Sequence, residues 1–89
     1  MADWSVEFTP RAKKALTQLD RSVQKRVVGK LQKIQGADDP RDFLKPMRGP
    51  LTGMFRLRVG DYRVIIDIQD ERCVVLALDV GHRSVVYGR

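Results

Sequence analysis

Three arginines in the middle of the chain carry the strongest chemical signal of the sequence. The stretch GMFRLRVGDYRVII contains two strand-like runs around the turn pair Gly60-Asp61, a pattern typical of a β-hairpin. With a two-residue loop, Arg58 lies opposite Arg63, and Arg56 projects from the same face of the sheet. Like charges placed opposite each other in a ladder cost about 0.2–1 kcal/mol. Such crowding of positive charge requires an explanation.

Two explanations fit this arginine face, defined here as Arg56, Arg58 and Arg63. In the first, the guanidinium groups spread into water, with Asp67 holding Arg63 from two positions along the strand. In the second, they bind a phosphate, because a guanidinium presents a planar fork of donors that stays charged. The spacing alone leaves both explanations open.

The last residues of the chain add polar side chains near the same sheet. Arg83 and Tyr87 follow the last predicted strand, and His82 is the single histidine, the side chain that titrates near neutral pH. A lone histidine at a strand end is more often an incidental polar residue, so an assisting role for His82 is the alternative. No metal-site, P-loop, dinucleotide or Ser/His/Asp motif is present, and no cofactor or metal is expected. These residues predict a site that binds an RNA phosphate and stabilises extra negative charge there.

The first half of the chain predicts one strand and two helices. WSVEF alternates apolar and polar residues as a strand does, and TPRAKKALTQLD begins a helix with Thr9 as N-cap and Pro10 at the first position. Asp20 or Ser22 caps the second helix, and Gly36 ends it. The apolar stripe of this second helix consists of Val23, Val27, Leu31 and Ile34.

The second half predicts an irregular segment followed by three strands. Residues 41–53 contain two prolines and two glycines, and the strands are expected at about 54–59, 62–69 and 72–80, with Gly81 breaking the last one. The resulting order is β-α-α-β-β-β: an α+β domain, formed by residues 1–89, with two helices packed on one face of a small, largely antiparallel sheet.

The charge and the cysteine content indicate which class of partner and which cellular compartment to expect. The net charge of +6 indicates a polyanionic or acidic partner, although a solvated basic surface has the same composition. Cys73 is the only cysteine and lies in an apolar run, which excludes a disulfide, predicts a buried thiol and favours a reducing, cytoplasmic location. No membrane segment or secretory signal is expected. The candidate contacts to RNA backbone or ribosome are Lys13, Lys14, Lys25, Lys30 and Arg48.

The residues described above resemble those of the RelE family of bacterial toxins, ribosome-dependent mRNA endonucleases that are paired with a RelB-type antitoxin. The resemblance covers nearly the whole chain, through VEFTPRAKKALTQLD, MRGPLTGMFRLRVGDYRVII and DVGHRSVVYGR. The combination of RLRVGDYRVI with a terminal VGHRxxVY is specific, whereas either half alone is only suggestive.

The resemblance implies a reaction and assigns roles to residues of this chain. RNA is cut by attack of a ribose 2′-hydroxyl on the neighbouring phosphate, which leaves a cyclic phosphate. Arg56, Arg58 and Arg63 match the basic residues of the family's hairpin. Arg83 matches the arginine that stabilises the transition state or aids the leaving 5′-oxygen, and Tyr87 the tyrosine that accepts the 2′-hydroxyl proton, provided that cations lower its pKa from about 10.

The resemblance also implies partners, and it leaves two other functions open. The expected partners are a RelB-like antitoxin, with which the toxin forms a hetero-oligomer, the 70S ribosome and mRNA. The same fold resembles the ParE toxins, which act on DNA gyrase. A basic module that docks to ribosomal RNA without cutting it is the remaining alternative.

Overall fold

Five strands and two helices form the part of the chain that the structure, a computed structural model, describes, namely residues 4–82. The strands are β1 (Ser5–Phe8), β2 (Lys45–Pro46), β3 (Phe55–Val59), β4 (Tyr62–Gln69) and β5 (Val74–His82), and the helices are α1 (Pro10–Thr17) and α2 (Arg21–Gln35). Both helices lie between β1 and β2 in the chain. No helix among residues 4–82 is long and apolar enough to cross a membrane.

The five strands form one mixed sheet in the order β1-β5-β4-β3-β2. All neighbouring pairs are antiparallel except β1 and β5, which run parallel. The predicted α+β class is confirmed, and the predicted helices and strands occur in the predicted order, with one additional strand. β2 is an addition within the segment predicted to be irregular, because Lys45 and Pro46 pair with Arg56 and Phe55.

The helix boundaries follow the predicted signals, with one difference in capping. Thr9 is the N-cap of α1: its Oγ1 accepts a hydrogen bond from the Ala12 amide at 3.1 Å and donates one to the Leu78 carbonyl oxygen at 3.0 Å. Asp20 occupies the N-cap position of α2, but its side chain makes no capping hydrogen bond. Gly36 is the C-cap of α2, as predicted.

The core lies between the helices and one face of the sheet. The predicted stripe of α2 is fully confirmed, because Val23, Val27, Leu31 and Ile34 are all buried. Burying one such aliphatic side chain contributes about 1.5–3 kcal/mol. Cys73 differs from the prediction: it is only partly buried, and its φ of 52° places it in the left-handed region. The sheet residues buried against the helices are Leu57, Val59, Val64, Ile66, Val75, Ala77 and Val80.

The last strand has the predicted length, but it begins and ends two residues later than predicted and contains a bulge. Gly81 does not break it, because Gly81 pairs with Arg63 and the strand continues to His82. The register shifts in the middle of β5, where Ile65 pairs with Asp79 and Ile66 with Ala77. The extra residue reverses the alternation of faces, so Asp79 projects on the arginine face instead of into the core.

Candidate nucleic-acid interface

The hairpin of β3 and β4 has the predicted register. Arg58 is paired directly with Arg63, and Arg56 occupies the next row on the same face, opposite Ile65. Leu57 lies between the two β3 arginines and is buried on the helix side, so the arginine face is the face of the sheet that points away from the helices. Arg58 is exposed, whereas Arg56 and Arg63 are half-buried.

The three arginines have no carboxylate partner within residues 4–82. The ion pairs in this part of the chain involve other arginines. Arg58 donates from Nε to the Gly60 carbonyl oxygen at 3.4 Å. Asp67, the expected partner of Arg63, instead accepts a hydrogen bond from the side-chain Nε2 of Gln69 at 3.2 Å. The guanidinium groups of the arginine face are therefore not neutralised by an acid of the described chain.

One further cation and one ion pair lie along the row of Arg56, on elements that the sequence did not link to it. Lys45 of β2 pairs with Arg56 and extends its row to the edge of the sheet. At the other end of this row, the Asp79 carboxylate binds the Nε of Arg11, which is on α1, at 3.2 Å and accepts a hydrogen bond from the Val80 amide at 2.9 Å. No sequence signal reveals these contacts, because they depend on β2 and on the bulge.

A groove runs between α2 and β3 and opens next to the arginine face. It encloses a cavity of about 290 Å³. We call it the basic groove; its residues are Lys30, Lys33, Lys45, Arg56 and Arg58 around Ile34, Leu57 and Phe43. A second cavity of about 290 Å³ extends it to the hairpin turn, where Arg26 lies with Lys30 and Lys33. These last three residues recur at helical spacing, so a basic stripe beside the apolar stripe of α2 was visible in the sequence.

The predicted RNA- or ribosome-binding residues fall into two groups. Lys30 lines the basic groove, and Arg48 lines a neighbouring cavity together with Lys45 and Arg56. The other three are exposed on the helices and do not line the basic groove; they are Lys13, Lys14 and Lys25. The structure thus brings Lys30 and Arg48, but not the other three, close to the arginine face.

The predicted residues near the end of the chain are only partly described. His82 pairs with Tyr62 in the row of Val59, on the helix side of the sheet, and its ring meets that of Tyr62 edge to face with centroids 5.6 Å apart. The structure therefore places His82 on the other side of the sheet from the arginine face. Arg83 and Tyr87 lie outside the described residues.

The metal-ligating residue types do not cluster in this part of the structure. Between residues 4 and 82, no three histidine, cysteine or acidic side chains come together in a way that would hold a metal ion. What the described site offers chemically is a set of permanently charged guanidinium groups that suit a phosphate.

The fold of two helices on a five-stranded mixed sheet also occurs in known proteins. The family model for the ParE toxin of type II toxin-antitoxin systems, parDE, matches residues 6–87. Toxin RelG of Mycobacterium tuberculosis (strain ATCC 25618 / H37Rv) is 34% identical over 97% of this chain and 98% of that protein. The chain therefore belongs to the RelE/ParE superfamily of type II toxin-antitoxin toxins.

Solved structures show the same fold. The toxin-antitoxin complex RelBE2 of Mycobacterium tuberculosis contains a chain with a TM-score of 0.71 and 32% identity, and the match covers 94% of this chain and 95% of that one. The archaeal RelE-RelB complex of Pyrococcus horikoshii OT3 contains one with a TM-score of 0.74 and 26% identity, covering 94% and 99% of the two chains. The RelE-like fold predicted from the sequence is confirmed.

Proposed function

We propose that this toxin is a ribosome-dependent mRNA endoribonuclease, an mRNA interferase that inhibits translation by cutting mRNA. The observation that carries the proposal is the direct pairing of Arg58 with Arg63, beside Arg56, without a carboxylate partner among residues 4–82. A ladder that places like charges together is unfavourable in the free protein. A bound phosphate turns the same arrangement into a stabilising one, which gives the crowded face a function.

The proposed reaction transfers a phosphoryl group within the RNA, from the 5′-oxygen of one nucleotide to the 2′-oxygen of the preceding one. The ribose 2′-oxygen forms a bond to the adjacent phosphorus, the bond from phosphorus to the 5′-oxygen breaks, and a 2′,3′-cyclic phosphate results. Negative charge builds up on the phosphoryl oxygens during the attack, and guanidinium groups already in place stabilise it. Arg56, Arg58 and Arg63 are the described residues to which we assign this role.

The proton transfers in this proposal belong to residues that follow the described part of the chain. Tyr87 takes the proton of the 2′-hydroxyl, and the departing 5′-oxygen gains a proton with the help of Arg83, which also stabilises the transition state. His82 is the alternative proton acceptor, although its ring contacts Tyr62 on the helix side of the sheet. Since neither tyrosine nor arginine has an ordinary pKa near neutral pH, we expect slow cleavage without the ribosome.

The ribosome contributes orientation in this proposal. Holding the mRNA so that its 2′-oxygen, phosphorus and 5′-oxygen are in line removes much of the entropic cost of the attack. Contacts to phosphates supply affinity without reading sequence. Lys30 and Arg48 are suited to such contacts because they lie beside the arginine face, and Lys13, Lys14 and Lys25 extend the basic surface over the helices.

A RelB-like antitoxin is the proposed protein partner, in a hetero-oligomer that forms in the cytoplasm. Support comes from the Mycobacterium tuberculosis and Pyrococcus horikoshii relatives, which were solved as complexes of this kind. The net charge of +6 favours an acidic partner, whose segments would cover the arginine face and block access of RNA.

Inhibition of DNA gyrase is the second candidate function, because the matching family model is described by the ParE toxin. The two functions predict different products. Purified protein that inhibits supercoiling by gyrase and leaves mRNA intact on translating ribosomes would select the ParE-like function. A protein that binds ribosomes without either effect would be a non-catalytic module.

The decisive experiment maps mRNA 5′ ends after brief induction of the toxin, with and without active translation. The proposal predicts new 5′ ends within translated regions that disappear when initiation is blocked. Arg83→Ala and Tyr87→Phe are each expected to abolish most of these ends. Unchanged cleavage in both variants would refute the assigned proton transfers, and ends that persist without translation would refute the dependence on the ribosome.

A further inference from the structure

Phe43 is an aromatic side chain left largely in solvent at the mouth of the basic groove. It is 54% exposed, and it lines the cavity together with Lys45 and Arg56. The other large apolar side chain exposed within residues 4–82 is Val28, which lines separate cavities of α2. Phe43 is therefore one flat apolar surface beside a cavity that cations line.

The turn that carries Phe43 is held at both ends, so the backbone from which the exposed ring projects has a defined position. Pro40 at the start of this turn is fully buried, and Leu44 directly after it is buried as well. The Asp39 side chain accepts a hydrogen bond from the Arg41 amide at 3.0 Å. The guanidinium of Arg41 contacts both Asp39 and Asp70, and hydrogen bonding to Asp70 raises the pKa of Arg41 above its ordinary value.

The charged side chains that line the cavity beside Phe43 are all positive. Lys30 and Lys33 of α2 line one side of the groove and Arg56 and Arg58 of β3 the other, and no acidic residue of the described chain lines the cavity. Arg56 and Arg58 also belong to the arginine face, so the groove and the proposed phosphate site are continuous.

We propose that the basic groove binds a nucleotide of the RNA strand next to the one whose phosphate lies on the arginine face, with its base stacked on Phe43. Lys30, Lys33 and Lys45 contact the flanking phosphates. This inference rests on the proposed endoribonuclease function and identifies a binding subsite for it. A base stacks on an aromatic ring without regard to its identity, so the subsite takes any nucleobase.

The competing occupant of the groove is an acidic helix of a protein partner. The small number of exposed apolar side chains in the groove argues against a helix. A helix that docks in a groove inserts several apolar anchors at helical spacing. The basic groove offers one exposed apolar ring, since Ile34 and Leu57, its other apolar lining residues, are buried. One ring is sufficient for one base.

The test measures binding of a short single-stranded RNA with 2′-O-methyl groups, which cannot be cleaved, to the full-length protein. We compare Phe43→Leu, which keeps apolar volume but loses the aromatic face, with Phe43→Tyr, which keeps the ring. Phe43→Leu should weaken binding roughly 5- to 100-fold and Phe43→Tyr should bind like the unchanged protein. With an abasic oligonucleotide of the same length, all three proteins should bind equally.

Three results would overturn the inference. In the first, Phe43→Leu binds RNA as tightly as the unchanged protein. In the second, Phe43→Leu loses as much affinity for the abasic oligonucleotide as for the intact one. In the third, binding of a glutamate-rich peptide depends on Phe43 and binding of RNA does not. Mapping of mRNA 5′ ends with the unchanged protein and with Phe43→Leu distinguishes failure of the subsite from failure of the proposed function. Cleavage by the unchanged protein with no stacking effect would disprove the subsite alone, whereas absence of cleavage would disprove both.

Discussion

At the scale of single residues, the proposed phosphate site places like charges together, at a cost in stability to the free protein. Arg58 and Arg63 are paired across the hairpin, and no acid among residues 4–82 neutralises either one. Side-chain repulsion in the free protein and attraction to a phosphate are two consequences of the same geometry. They can be separated by measuring folding and cleavage on the same variant.

Arg63→Gln is therefore expected to change stability and activity in opposite directions. Removing one of two facing charges should raise the free energy of unfolding by about 0.2–1 kcal/mol, measured by urea denaturation at low salt. Cleavage of mRNA on translating ribosomes should fall by roughly 10²–10³-fold, the loss typical of one stabilising donor in a transition state.

Arg72→Gln is the matched control for Arg63→Gln, because Arg72 is exposed and its guanidinium contacts the Glu7 carboxylate at 3.3 Å. This variant should leave cleavage unchanged and should not gain stability. If Arg63→Gln were less stable than the unchanged protein, the crowding of charge would not be the dominant effect at that position.

Asp79 is a second residue whose role follows from its contacts. Its carboxylate accepts the hydrogen bond of the Val80 amide and binds Arg11, and it is largely buried. Asp79→Ala should lower the free energy of unfolding by about 1–3 kcal/mol because a buried amide loses its acceptor. Arg11→Ala should cost less than about 1 kcal/mol, since the Arg11 side chain is 72% exposed. Equal losses in the two variants, measured by urea denaturation, would contradict this assignment.

At the scale of elements, the two helix N-termini look alike in sequence but differ in structure. Thr9 makes two side-chain hydrogen bonds, one within α1 and one to β5, whereas Asp20 makes no capping bond. Thr9→Ala should therefore lower the free energy of unfolding by about 1–2 kcal/mol, and Thr9→Ser should restore most of it. Asp20→Ala should be nearly neutral in the same thermal or urea unfolding measurement. A larger loss for Asp20→Ala than for Thr9→Ala would show that the caps are misassigned.

The elements that could be predicted from the sequence are those whose signals are local. The register of the hairpin follows from its two-residue turn, which places Arg58 opposite Arg63, and the stripe of α2 follows from helical spacing. β2 and the bulge of β5 could not be predicted, because each depends on pairing between segments distant in sequence. For the same reason Gly81 was wrongly expected to end the last strand, which instead continues through its pairing with Arg63.

The candidate site was predictable to the extent that it lies on the hairpin. Arg56, Arg58 and Arg63 were expected on one face and lie there. Lys45 and the exposed ring of Phe43 were not predicted, since their positions follow from the turn before β2 and from its pairing. Lys33 could have been found as part of the basic stripe with Lys30.

At the scale of the whole molecule, positive charge is concentrated where α2 and β3 meet. Lys30 lies in the basic groove, whereas Lys25 lines a different cavity, which is formed by residues of α2 alone. Lys30→Gln should weaken binding to ribosomes and reduce the slope of log affinity against log salt by about 1, the amount for one lost phosphate contact. Lys25→Gln carries the same charge change and should have a smaller effect. Equal slopes for the two variants, measured by ribosome co-sedimentation over a salt series, would show that net charge alone matters.

The parallel pairing of β1 with β5 determines when the sheet can be completed during synthesis of the chain. β1 leaves the ribosome first, yet its only neighbour in the described sheet is the strand that leaves last. Until Val74–Ala77 emerges, the nascent chain carries Trp4, Val6 and Phe8 without the strand beside which they pack. Because such distant contacts form late, the sheet is completed only after Val74–Ala77 has emerged from the ribosome.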